Sequence, residues 1–152
     1  MDTRSKIILV DDNVANLEQG RIMLKTFYAV YPAQSAAKLF EILEHVIPDL
    51  ILLDIIMPEM DGYQAIQRLK ADERHAGIPV IFLTAQDDAG NELEGLELGA
   101  ADYISKPFSA PLLLKRIENQ LLIARQKRDL AEKQAALENR EPLKAVSIMH
   151  SA

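Results

Sequence analysis

Residues 50–62 read LILLDIIMPEMDG. Four apolar residues in a row, 50–53, run straight into a carboxylate, Asp54. A strand with one face in water alternates apolar and polar residues, so an unbroken run marks a strand buried on both faces, as in parallel sheets. Pro58 and Gly62 then shape a loop. Working outward, Lys6–Val10 (KIILV) is a second such run and stops at Asp11 and Asp12. Residues 80–83 (VIFL) form a third and stop at Thr84. Weaker strand candidates are 28–33 and 102–105, the latter followed by Lys106.

Helical patterns lie between these runs. Leu17, Met23 and Leu24 mark one over about residues 14–26; Ala36, Leu39, Phe40 and Leu43 mark a second; Tyr63, Ile66, Leu69 and Lys70 a third. Leu93, Leu96 and Leu98 mark a fourth, with Gly99 as its C-cap. Strand and helix alternate five times, which predicts an α/β fold: a doubly wound parallel sheet with helices on both faces. A fifth helix is expected from Ser109, an N-cap with Pro111 in the first turn, to about Asn139, with Ile117, Leu121 and Ala124 toward the sheet. Thirty helical residues span roughly 45 Å, longer than the body is wide, so the helix is expected to project. Ile123, Leu130 and Leu137 recur every seven residues, a short coiled-coil signal that a solvated linker helix explains equally well. Pro142 is expected to end the helix. The division expected is a domain at 1–125 and a helical linker or coiled coil at 126–152, leading to an output domain outside this chain.

The 152 residues carry a net charge of −6, unevenly spread. Residues 1–110 hold 9 basic and 18 acidic side chains, a balance of −9; residues 111–152 hold 8 and 5, a balance of +3. An acidic body argues against direct nucleic-acid binding. Cysteine is absent, which excludes disulfides, zinc–thiolate sites and thiol nucleophiles and suits a cytoplasmic setting. No apolar run reaches the ~18 residues of a membrane helix, and the N-terminus does not read as a signal peptide.

Ligands of doubly wound sheets bind at the carboxyl ends of the strands. Asp11 and Asp12 follow the first strand, Asp54 ends the third, Thr84 ends the fourth and Lys106 follows the fifth, so they are expected on one edge. Carboxylates brought together repel unless a cation joins them, and oxygen-only ligation suits Mg²⁺. Lysine adds a positive charge and threonine a hydroxyl, so the set reads as a cradle for a phosphoryl group. Singly, each residue has a plainer reading. Asp11 and Asp12 could cap the first helix, Asp54 could be a turn residue, Thr84 a strand-end hydroxyl and Lys106 a surface lysine.

Four segments carry a resemblance: VDDN at 10–13, LLDIIMPEMDG at 52–62, FLTA at 82–85 and GAADYISKPF at 99–108. Together they resemble the receiver domains of two-component response regulators, over about residues 5–125. The resemblance implies a flavodoxin-like five-stranded sheet of order 2-1-3-4-5. It implies Asp54 as phosphoacceptor, with a histidine kinase or a histidine phosphotransfer protein as donor. Asp12, Asp54 and the Ile56 carbonyl would bind Mg²⁺ directly, and Asp11 through water. Lys106 would pair with phosphoryl oxygens, and its bond to Pro107 would be cis. Thr84 would turn toward the phosphate and Tyr103 follow it, moving the face of helix 4, strand 5 and helix 5; a packing role for Tyr103 is the plainer reading. Ile56 and Gln86 sit where the family tunes phosphoaspartate hydrolysis. A homodimer through the C-terminal helix is a further expectation.

Two enzyme or cofactor readings compete with this switch, besides a phosphorylation-independent docking module. An aspartate-nucleophile phosphatase of the haloacid-dehalogenase type needs an acid two residues after its nucleophile, where this chain has Ile56. A flavin domain needs a hydroxyl-rich loop after the first strand, where this chain has two aspartates.

Overall fold

A computed structural model describes the backbone of residues 3–84 and 89–151, and the side chains of 3–84 and 93–139. Gln86 lies outside the described residues. The elements follow in strict alternation: β1 (Lys6–Val10), α1 (Val14–Leu24), β2 (Ala29–Ala33), α2 (Ala36–Leu43), β3 (Leu50–Asp54), α3 (Gly62–Ala71), β4 (Val80–Thr84), α4 (Ala89–Glu97), β5 (Asp102–Ser105) and α5 (Ala110–Ser151). Among the described residues the strands form one sheet of order β2-β1-β3-β4-β5, every pair parallel. This is the doubly wound, flavodoxin-like architecture that the sequence predicts.

Period-two geometry sends alternate residues of each strand to opposite faces. Ile8, Val10, Ile51, Leu53, Val80 and Phe82 join α2 and α3 in one core. Ile7, Leu9, Leu50, Leu52, Ile81, Leu83 and Ile104 join Leu17 and Leu24 of α1 and Leu113 and Ile117 of α5 in the other. β3 and β4 are buried along their whole length, as unbroken apolar runs require, while the outer strands β2 and β5 are only partly covered.

Helix starts follow local chemistry. Ser35 accepts from the Lys38 amide at 3.1 Å, and Ser109 accepts from the Leu112 amide at 3.3 Å. Asp61 and Gln64 form a reciprocal capping box on α3. Gly99, at φ 107°, closes α4 in the conformation that glycine reaches most easily.

The chain divides into two compact units, Met1–Leu121 and Leu122–Ala152. Ile117 is fully buried in the first and Leu121 packs beside it, while Ala124 falls in the second. Pro142 does not end α5, which continues to Ser151. A proline removes one amide donor, here the bond to the Glu138 carbonyl, and its flanks are good helix formers, with Glu138, Arg140 and Glu141 before it and Leu143, Lys144 and Ala145 after it.

Candidate functional site

The parallel register lines up the carboxyl ends of β1, β3, β4 and β5. Backbone bonds just past the strands hold that alignment: Asp11 N–H to Ala33 O at 3.1 Å, Ile55 N–H to Leu83 O at 3.3 Å and Lys106 N–H to Thr84 O at 2.7 Å. Asp11 and Asp54 are thereby buried, at 2% and 7% exposure, while Asp12 stays at the surface. One carboxylate oxygen from each of the three lies within 4.8 Å of the others. Lys106 reaches across from the end of β5, with Nζ 2.8 Å from Asp11 Oδ2 and 3.3 Å from Asp54 Oδ1. The Lys106–Pro107 peptide is cis.

The loop after β3 is pinned to its own strand. Gly62 N–H donates to the Ile55 carbonyl at 2.7 Å. A Cβ at Gly62 would lie 2.6 Å from the Asp54 carbonyl oxygen and 2.8 Å from Ile55 Cα, contacts that a side chain cannot make. Glu59 takes a left-handed φ of 68° in the same loop.

The electrostatics follow from this geometry. Burial pushes the Asp54 carboxyl up to about 7; the Lys106 charge pulls it down, and the Asp11 carboxylate pushes it up again. Burial works against the charged form of Lys106, but its hydrogen bond to Asp11 and the charges of Asp54 and Asp11 outweigh it, so its pKa is raised. Two buried carboxylates and a surface one face a single ammonium. That donor set, all oxygen, fits a hard divalent cation such as Mg²⁺.

Thr84 is 1% exposed, and its hydroxyl donates to Ser105 Oγ at 3.5 Å. Tyr103 is half-buried against the Phe82 core, on the β5 position registered to Phe82. Ile56 is 64% exposed. The expected set is therefore brought together at Asp11, Asp12, Asp54 and Lys106, with Thr84 at the end of the strand beside Asp54's.

Asp11 and Asp12 do not cap α1. Asn13 does, accepting from the Asn16 amide at 3.0 Å, while Asp11 Oδ1 accepts from the Asn13 amide. Three consecutive residues able to cap make this choice hard to read from sequence. The reading also missed Ser105, whose only sequence signal is its place before Lys106.

Residues 7–118 match the family described as the response regulator receiver domain. The chain is 44% identical over 124 residues to a Vibrio cholerae serotype O1 protein named "Probable cyclic di-GMP phosphodiesterase", covering 80% of this chain and 27% of that one. It is 38% identical over 113 residues to the phosphate regulon transcriptional regulatory protein PhoB of Pseudomonas aeruginosa, covering 74% of this chain and 49% of that one. This chain thus spans about a quarter to a half of such relatives. The signal receiver domain of a histidine kinase from Syntrophus aciditrophicus superposes with a TM-score of 0.71 at 33% identity, over 77% of this chain and 89% of that one.

Proposed function

This chain belongs to the response regulator receiver domain family of two-component signalling, and we propose that it is a Mg²⁺-dependent switch that accepts a phosphoryl group on Asp54. The observation that carries the reading is the convergence of Asp11, Asp12 and Asp54 within 4.8 Å, with Lys106 Nζ bridging Asp11 and Asp54.

The donor is a phosphohistidine on a histidine kinase or a phosphotransfer protein. An Asp54 carboxylate oxygen attacks the phosphorus; the new O–P bond forms as the P–N bond breaks, and its electron pair leaves with the imidazole. Lys106 faces the charge that builds on the phosphoryl oxygens, and the Thr84 hydroxyl donates to one of them. Asp12 and Asp54, with the Ile56 carbonyl, would hold Mg²⁺, and Asp11 would act through water. Bound there, Mg²⁺ supplies a positive charge against the three carboxylates and the incoming group. A groove of about 320 Å³ beside Lys106, lined by Asn16, Gln19, Gly20, Met23, Pro107 and Phe108, supports docking of the donor protein there.

Phosphorylation then biases a two-state element, Thr84 with Tyr103, and alters the face of α4, β5 and α5. Leu93, Leu96 and Leu112 are exposed on those helices, which supports a partner surface. The chain works as a switch of a cytoplasmic relay and turns over no substrate of its own. The stretch 126–152 serves as a linker to an output domain, with Ile123, Leu130 and Leu137 of α5 available to pair two copies. No described helix is long and apolar enough to cross a membrane.

Intact mass after incubation with acetyl phosphate and Mg²⁺ tests the reading. The expected result is one added phosphoryl group in the wild type, none in Asp54→Asn and none with EDTA. A phosphoryl group retained on Asp54→Asn rejects the acceptor.

A further inference from the structure

We infer that Ser105 is a positioning residue that holds the Thr84 hydroxyl in its resting place and so sets how readily the site takes up a phosphoryl group. The inference rests on the reading of Asp54 as acceptor and of Thr84 as the hydroxyl that turns toward it.

Thr84 and Ser105 are registered partners at the ends of β4 and β5, so their side chains share one face of the sheet. Tyr103, two residues earlier on β5, shares it too. The Thr84 hydroxyl is buried, and a buried donor requires an acceptor. Among the described residues, that acceptor is Ser105 Oγ, at 3.5 Å. Hydroxyl pairs normally close to about 2.8 Å, so the bond is loose. A loose bond suits a donor that must leave. Thr84 has one hydroxyl proton, and a phosphoryl oxygen on Asp54 would compete with Ser105 for it.

The energetic consequence is one-sided. Removing the Ser105 hydroxyl takes from the Thr84 hydroxyl its resting acceptor; Ser105 is itself exposed, so water replaces part of that bond and the resting state rises only modestly. It takes nothing from a state in which Thr84 donates to the phosphoryl group. Ser105 also immediately precedes Lys106, whose N–H donates to the Thr84 carbonyl at 2.7 Å, so hydroxyl and ammonium are carried on one short piece of backbone.

Beryllofluoride with Mg²⁺, a mimic of the phosphoryl group, provides the test. Apparent Kd is measured by titration for wild type, Ser105→Ala, Ser105→Thr, Thr84→Ala and the double variant. Ser105→Ala is expected to bind about two- to five-fold more tightly than wild type, a range that corresponds to a weak hydrogen bond. Ser105→Thr restores the wild-type value, and in the Thr84→Ala background the Ser105→Ala change has no effect. Unchanged or weaker binding by Ser105→Ala overturns the inference. An equal effect of Ser105→Ala with and without Thr84 overturns it too, because it assigns Ser105 a merely structural role. Failure of the wild type itself to bind beryllofluoride strikes at the acceptor reading instead, and removes the competition on which the inference depends.

Discussion

Leu52 and Leu130 are the same side chain in opposite settings. Leu52, on β3 in the unit Met1–Leu121, is fully buried; Leu130, on α5 in the unit Leu122–Ala152, is 64% exposed. In the body, apolar residues come in runs and both faces of the sheet cover them. In the C-terminal helix Ile123, Leu130 and Leu137 stand seven residues apart and face water along with the charges. The body is therefore specified by burial, the main driving term of folding. The helix relies on backbone bonds and propensity, which sustain an isolated helix only marginally in water. Apolar content alone does not reveal where a core is; its spacing does.

Breaking the first side of this comparison has the largest expected effect. Leu52→Ala leaves a cavity between β3 and its neighbours, and it should cost about 2–5 kcal/mol in a denaturant melt with unchanged slope. A cost below about 1 kcal/mol would mean that the centre of the sheet can collapse around the gap.

A smaller effect, with a sign, comes from the carboxylate that the body buries. Burial raises Asp54 to about 7 from 3.8. The folded protein therefore binds a proton there that the unfolded chain releases, and this contribution is present at low pH and lost as pH rises through about 7. Asp54→Asn removes the penalty. Without Mg²⁺ it should be more stable than wild type by about 1–3 kcal/mol at pH 8, less than the full shift implies because the substitution also takes from Lys106 one of its two carboxylate partners, and the difference should vanish near pH 4. Urea melts in EDTA at the two pH values check this; an advantage that grows toward acid reverses the sign and rejects the account.

The smallest effect belongs to the helix. Leu130→Ala should change unfolding of the body by less than about 0.5 kcal/mol. If Ile123, Leu130 and Leu137 pair two copies, Leu130→Asp should convert a concentration-dependent dimer into a monomer in sedimentation equilibrium. A wild type that stays monomeric at high micromolar concentration, with and without phosphodonor, rejects the pairing.

The same contrast governs what could be read from the sequence. The three apolar runs became β1, β3 and β4, and Asp54 and Thr84 end the strands they were expected to end. Burial on both faces leaves little choice of residue, so such strands are legible. The outer strand β2 starts at Ala29, where the reading began at Tyr28, because partial burial marks ends weakly. The convergence of Asp11, Asp54 and Lys106 was legible because parallel strands must end together. The roles of Asn13 and Ser105 were not: both depend on which of several competent hydroxyls or amides comes within reach, and that is set by register, not residue type. The passage of α5 through Pro142 was misread because a single missing donor was weighed against no flanking propensity.

The loop at 55–62 has a further consequence for how much change the chain will tolerate. Surface loops ordinarily accept substitutions and inserted residues. This one is clasped at both ends by the bond from the Gly62 amide to the Ile55 carbonyl, and it closes too tightly at Gly62 for any side chain. An extra residue would have to be absorbed between two points that are fixed to the sheet. In a saturation scan the loop should score like core, although Ile56 and Glu59 face water, and its least replaceable letter should be the one with no side chain at all.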